Sequence, residues 1–208
     1  MILISRPLTL DPLIADSQKM TQLYSDAKLI LLRHGESEGN ASKVVQGDGE
    51  YPLSERGKKQ ALEAKAVVSL WQPNVYMSSD LSRAFDTALI ISDFAPIIQD
   101  IRYRERSAGK WEGISRDELE RAYPGSIEND ALRPEGYESE KSVYARILPA
   151  LEDSLEYDGL VVVVSHGAVF RLIERYFGGT GERFKHLEGL AFNKDFALLG
   201  RVHTIGDK

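Results

Sequence analysis

Two histidines in this 208-residue chain share one local setting: an apolar run, one polar residue, His, then Gly. The first is Leu29-Ile30-Leu31-Leu32-Arg33-His34-Gly35, and the second is Val161-Val162-Val163-Val164-Ser165-His166-Gly167. A continuous apolar run reads as a parallel strand buried on both faces. In such sheets ligands bind beyond the carboxyl ends of the strands. If the two strands are neighbours, His34 and His166 meet at one pocket. An imidazole held there can act as a nucleophile or a general base. Gly35 removes a side chain that would obstruct a ligand, and Arg33 offers a bidentate fork for phosphate or carboxylate. Either histidine alone reads as a surface or satisfied core residue; the pair favours chemistry.

Other segments can serve the same pocket. Ser37 and Asn40 add neutral donors after His34, and Gln46-Gly47-Asp48-Gly49 is a polar loop able to fold over an anion. Arg83 lies in the first turns of a helix beginning near Ser79, where the amino terminus favours anions. The alternative for Arg83 is a solvated helix arginine. Tyr103-Arg104-Glu105-Arg106 places a carboxylate between two arginines. It is either a surface ion-pair cluster, worth less than about 1 kcal/mol, or the general acid that a phosphate leaving group requires.

Regular elements must hold these residues. Ser54 to Leu70 reads as a helix capped by Ser54, with Leu62, Ala66 and Leu70 on its apolar face. Asn74–Met77 reads as a strand, and Ser79–Phe94 as a helix with Leu81, Phe85, Ala88, Leu89 and Ser92 on one face. Ile97-Ile98 begins a short strand after Pro96. A polar segment spans residues 103–136. A helix follows over 139–157, which Pro149 should kink or split. Val161–Val164 is a strand, Ala168–Phe177 a helix stopped by Gly178-Gly179, and 196–202 a last strand. Strands alternating with helices predict an α/β fold, a three-layer α/β/α sandwich with a mainly parallel central sheet and a small cap insertion. Residues 1–27 read as an N-terminal extension and 28–208 as a single domain.

Composition sets the limits. The chain is 42% hydrophobic and 28% charged, ordinary for a globular domain. Its net charge of −6 disfavours nucleic acid and anionic membranes as partners, so an anionic substrate needs arginines concentrated at one place. The absence of cysteine excludes disulfides, thiolate catalysis and cysteine-held metals. The early apolar stretch is broken by Arg6, Pro7, Asp11 and Pro12, and no run approaches a membrane span, so a cytoplasmic location is expected.

Four motifs in order resemble the histidine phosphatase (phosphoglycerate mutase-like) superfamily. They are Arg33-His34-Gly35-Glu36-Ser37 continuing to Asn40, Ser79-x-Leu81-x-Arg83-Ala84-x-x-Thr87-Ala88, Arg104-Glu105 through Gly109-x-Trp111-Glu112-Gly113, and His166-Gly167. The resemblance runs from about Lys28 to Val202. It implies that His34 is a nucleophile that becomes phosphohistidine, that Glu105 is general acid and then base, and that Arg33, Arg83 and His166 hold phosphoryl oxygens with Asn40. Ser37, Gln46, Gly47 and Gly167 complete the expected phosphate-binding set, and Tyr103, Arg106, Trp111 and Tyr137 could line the leaving-group side.

Physical chemistry agrees with these roles. Two guanidiniums and a protonated His166 would supply charge that other phosphatases take from metal ions, so neither metal nor cofactor is expected. The expected substrate is a small phosphorylated metabolite.

Departures refine the expectation. Gly39 stands where the glycolytic mutases carry Trp, and the stretch between Glu105 and His166 is short, so any cap is small. A small cap retains an intermediate poorly, which favours hydrolysis over phosphoglycerate mutase-type transfer. Ala108, Tyr137 and Ser142 also depart from common family residues, which leaves substrate identity open. The alternatives are that phosphotransferase, a non-catalytic binding module of the same fold, and a metallo-hydrolase, which lacks a His-Glu-x-x-His helix. A serine hydrolase is disfavoured because no Gly-x-Ser-x-Gly occurs. Nothing in the sequence reads oligomeric state.

Overall fold

The computed structural model describes residues 25–126 and 132–204. The N-terminal extension read over 1–27 therefore lies, up to residue 24, outside the described residues. In chain order the elements are β1 (Leu29–Arg33), α1 (Glu38–Ala41), α2 (Glu55–Leu70), β2 (Val75–Ser78), α3 (Ser82–Ile91), β3 (Ile97–Gln99), α4 (Arg116–Ala122), α5 (Glu140–Leu155), β4 (Val161–Ser165), α6 (Gly167–Tyr176), β5 (Glu188–Phe192) and β6 (Leu198–His203). Short 3-10 turns occupy Ile101–Tyr103 and Gly109–Trp111.

The strands form one sheet in the order β3-β2-β4-β1-β5-β6. Pairing is parallel from β3 to β1 and antiparallel for β1 with β5 and β5 with β6. The alternation within each apolar run separates two cores. Leu29, Leu31, Val161 and Val163 face α5 and α6, packing on Val143, Ile147, Phe170 and Ile173. Ile30, Leu32, Val162 and Val164 face α2 and α3, packing on Ala61, Ala64, Ala84 and Ala88. This is the three-layer sandwich. A one-residue slip would exchange the two sets, each side chain worth about 1.5–3 kcal/mol when buried, so the register is strongly specified.

Parallel pairing of β1 with β4 matches Arg33 to Ser165, and the His34 amide donates to the Ser165 carbonyl at 3.0 Å. Both histidines thus leave the same end of adjacent central strands.

Several local expectations change. On α2 the buried face is Gly57, Ala61, Ala64 and Val68, while Leu62 and Leu70 are 58% and 79% exposed and Ala66 is also exposed. Small residues face inward because the backbones approach closely: a Cβ on Gly57 would lie 1.9 Å from the Glu36 carbonyl oxygen. Gly35 has a related reason, since a Cβ there would meet the Gly57 carbonyl oxygen at 2.6 Å; it admits a helix rather than a ligand. On α3 the inward face is Arg83, Ala84, Thr87, Ala88 and Ile91, with Phe85 and Leu89 only half-buried. Helix α5 is not split by Pro149. The carbonyl that Pro149 leaves without a donor belongs to Ala145, whose residue is exposed, so water can take that bond. Strand β5 carries Gly189 and opens on Glu188, and it was not expected from the sequence. The polar stretch holds α4 and a small core of Ala108, Trp111 and Leu119, which forms the cap. Among the described residues no helix is long and apolar enough to cross a membrane.

Candidate active site

His34 stands at the end of β1 with 2% of its surface exposed. Its Nδ1 lies 2.6 Å from the Gly35 carbonyl oxygen. A carbonyl only accepts, so Nδ1 carries the proton and Nε2 carries the lone pair. Burial, then Arg83 and Arg33, hold the imidazole's pKa well below the usual histidine value. A neutral ring with a defined free nitrogen is the nucleophilic form.

His166 is fully buried beside it, with ring centroids 5.1 Å apart in an edge-on arrangement. Both of its ring nitrogens lack a hydrogen-bond partner among the described residues. Burial, Arg83 and His34 also depress its pKa, so the protonated His166 expected from the sequence is not the form these surroundings favour.

Two arginines bring the positive charge. Arg33 donates to the Phe184 carbonyl at 2.6 Å, and burial pulls its pKa down to about 10, which leaves it charged at neutral pH. A Cβ on Gly167 would stand 3.1 Å from Arg33 Nε, so glycine there lets the start of α6 close on the guanidinium. Arg83 is 1% exposed and donates to the Gly49 and Gly47 carbonyls at 2.8 and 2.9 Å. It ties down the loop of residues 46–49 while its own helix is tied to the His34 loop. Thr87 Oγ1 accepts from the Gly35 amide and donates to the Arg83 carbonyl. The Nε atoms of Arg33 and Arg83 are buried without a partner among the described residues. Donors of this kind are costly to bury unless something accepts from them.

Glu105 faces the amino terminus of α6. Its carboxylate accepts from the amides of Arg106, Ala168 and Val169 at 2.9, 3.2 and 3.3 Å. Arg146 clamps the backbone behind it by donating to the carbonyls of Arg102, Arg104 and Glu105 while pairing with both oxygens of Glu138.

His34, Arg33, Arg83, Glu105, Asn40, Gln46, Gly47 and Gly167 all border one cleft of about 370 Å³. Arg106, Trp111 and Tyr137 border it too, on the cap side. Arg106 and Arg133 stack on Tyr137 at 4.7 and 4.5 Å, and Tyr137 meets Trp111 edge-on at 6.0 Å.

Three predicted contacts do not border the cleft: His166, fully buried beside His34, Ser37 and Tyr103. Ser37 is fully buried off the cleft wall, with Oγ 2.9 Å from Asn40 Oδ1 and 2.7 Å from Gln46 Oε1. It caps α1 and braces two pocket residues instead of touching ligand. Tyr103 is a core residue, its hydroxyl bonded to the Ala150 carbonyl and Ser154. Its carbonyl accepts from Ser165 Oγ, so it anchors the acid loop to β4.

A family model described as histidine phosphatase superfamily (branch 1) matches residues 29–193. The chain belongs to the histidine phosphatase superfamily. It is similar to a glucosyl-3-phosphoglycerate phosphatase of Mycolicibacterium vanbaalenii, 33% identical over 196 residues, covering 86% of this chain and 87% of the relative. It is 37% identical over 158 residues to a metal-independent phosphoserine phosphatase of Arabidopsis thaliana, covering 70% and 66% of the two chains. The solved structure of a mycobacterial glucosyl-3-phosphoglycerate phosphatase with VO3 superposes with a TM-score of 0.77 at 26% identity, covering 86% and 100%. Phosphomonoester hydrolysis on a small molecule is the reaction class of these relatives.

This member of the superfamily also lines its cleft with residues the sequence reading missed. They are His186 and the arginines Arg116, Arg133, Arg171 and Arg183. One had a readable signal: Arg171 is four residues after Gly167 on α6, hence on the helix face that meets the pocket. The others come from loops or from the short α4, where no period marks a face.

Proposed function

We propose that this protein hydrolyses a small-molecule phosphomonoester through a phosphohistidine on His34, with no metal ion in the chemistry. The observation that carries the reading is a neutral His34 with Nε2 unprotonated, set between the guanidiniums of Arg33 and Arg83, whose buried Nε donors have no partner among the described residues. A phosphoryl group seated there would be held by Arg33, Arg83, His166 and the Asn40 amide. Its negative charge would offset the desolvation and the arginine repulsion that keep His166 neutral, drawing a proton onto that ring.

In the first step the His34 Nε2–P bond forms as the ester P–O bond breaks, and Glu105 gives its proton to the leaving oxygen. In the second, water attacks phosphorus, Glu105 takes the water's proton, and the N–P bond breaks to release inorganic phosphate. Charge neutralisation and in-line positioning, the main needs of phosphoryl transfer, fall to the arginines. The kinship to a relative named metal-independent supports the absence of a metal step.

The cleft is lined by more arginines than one phosphoryl group requires. Arg106, Arg116, Arg133, Arg171 and Arg183 border it beyond Arg33 and Arg83, and among the described residues Glu105 is the one acidic residue in its wall. The favoured leaving alcohol therefore bears a second anion, and a carboxylate fits bidentate arginine geometry. The named substrates of the two relatives, glucosyl-3-phosphoglycerate and phosphoserine, both have that character.

The test is phosphate release from p-nitrophenyl phosphate and from carboxylate-bearing phosphoesters in excess EDTA. Turnover should survive the chelator and fall by at least about a thousandfold in His34→Ala. Loss of turnover in EDTA, or an isomerised ester in place of free phosphate, would refute the hydrolytic mechanism.

A further inference from the structure

His186 is the second imidazole of the cleft wall, 6.1 Å from the His34 ring between centroids, and no sequence motif marked it. It precedes β5 in a tightly held turn. The Leu187 amide donates to the Arg33 carbonyl at 3.0 Å, and the Leu187 carbonyl accepts from Thr204 Oγ1 at 2.8 Å. Leu187 is fully buried with φ +59°, a left-handed conformation that a leucine rarely adopts. A strained residue bonded from both sides fixes the direction of its neighbour. That direction brings His186 Nε2 to 3.2 Å from Asn40 Oδ1.

Proton bookkeeping then assigns every atom. The Ser37 backbone amide lies 3.2 Å from the same Asn40 atom and can only donate, so that atom is the amide oxygen. His186 Nε2, meeting an oxygen that only accepts, must carry the proton. Its Nδ1 therefore carries a lone pair and offers no donor to a phosphoryl oxygen. Ser37 Oγ reaches Asn40 Oδ1 as well, at 2.9 Å. The Ser37 amide and His186 Nε2 donate to the amide oxygen and fix its plane, the single Ser37 Oγ proton being shared between that oxygen and Gln46 Oε1 at 2.7 Å, and the NH2 is the end of Asn40 left to serve the cleft.

We propose that His186 is a positioning residue that acts through Asn40, holding the side-chain amide so that its NH2 donates to the phosphoryl group. The proposal rests on the reading of Asn40 as a phosphoryl-oxygen donor. The neutral imidazole suits the task, because burial together with Arg33 and Arg56 keeps its pKa down at about 3. It donates one hydrogen bond without adding a further cation beside Arg33.

The experiment is a double-mutant cycle read by kcat/KM on p-nitrophenyl phosphate and by the inhibition constant of orthovanadate. The variants are Asn40→Ala, His186→Leu, the double variant and His186→Gln, whose amide nitrogen falls near the position of the histidine Nε2. His186→Leu should lower kcat/KM and weaken vanadate about tenfold, the scale of losing an outer partner of a site ligand. The double variant should be no worse than Asn40→Ala alone, and His186→Gln should recover most of the loss. Losses that multiply in the double variant, or Leu and Gln variants that are equally impaired, overturn the positioning role. An Asn40→Ala enzyme with native kcat/KM would instead remove the reading of Asn40, and the proposal with it.

Discussion

At His34 the controlling fact is where one proton sits, and burial decides it. His34, His166 and His186 are all held below the ordinary histidine pKa of 6.5, chiefly by desolvation, then by arginines. The folded chain therefore binds fewer protons than the unfolded chain once pH falls below about 6.5. Stability rises with pH wherever the unfolded state binds more protons, so the histidines' contribution is complete above 6.5 and is lost as pH falls below it. The slope is up to about 1.4 kcal/mol per pH unit for each histidine. Thermal midpoints measured from pH 7.5 to 5 should fall accordingly, and saturating vanadate should flatten the decline by favouring the protonated His166 ring. A midpoint that is level or rises over that range would mean these imidazoles are not held neutral. The residues that define this behaviour were mostly legible in the sequence. His34 and His166 end apolar runs, and Arg33, Arg83 and Glu105 sit in short ordered motifs. His186 was not legible, because an imidazole in an irregular turn has no spacing to betray it. Tyr103 and Ser37 misled for the opposite reason: their types suggest ligand contact, and only the packing shows their hydroxyls bonded within the protein.

At the scale of elements, the cleft depends on how closely α2 approaches the His34 loop. Gly57 begins the inward face of α2 against the Glu36 carbonyl, and Ser54 Oγ caps the helix through the Gly57 amide at 3.0 Å. A methyl group added at Gly57 cannot be accommodated without moving that loop. Gly57→Ala should cost about 1–3 kcal/mol of stability, against the gain that alanine normally gives in a helix. It should also lower kcat, since Gly35 and His34 move with the loop; denaturant unfolding beside a kinetic assay will show whether both fall. The inward face of α2 was misread because leucines were weighed above small residues. Where backbones nearly touch, glycine and alanine mark the buried face. Strand β5 was missed because Gly189 and Glu188 weaken its apolar pattern. That glycine is required, since a Cβ there would lie 1.6 Å from the Leu31 carbonyl oxygen. The strands and helices around the histidines were legible because long apolar runs and side-chain caps are local signals, as Ser54 and Ser139 illustrate.

For the whole molecule, the notable contrast is between a net charge of −6 and a cleft bordered by seven arginines, Arg33, Arg83, Arg106, Arg116, Arg133, Arg171 and Arg183. On the proposed reading, the acidic balance of the chain disfavours polyanions while the cleft favours a small anion. Trp111 and Tyr137 border the cleft from a short cap, which on the proposed reading suits an intermediate that discharges to water. The sequence named Arg33, Arg83 and Arg106 but not Arg116, Arg133, Arg171 or Arg183, since most of these reach the cleft from segments with no regular period. The central claim is a covalent phosphoryl group on His34. It is tested most directly by quenching the enzyme in alkali during turnover of p-nitrophenyl phosphate and locating added phosphoryl mass on peptides. A phosphoryl group on the peptide bearing His34, absent from His34→Ala, is the predicted result. A turning-over enzyme with no phosphoryl adduct, or with the adduct on another residue, would contradict it.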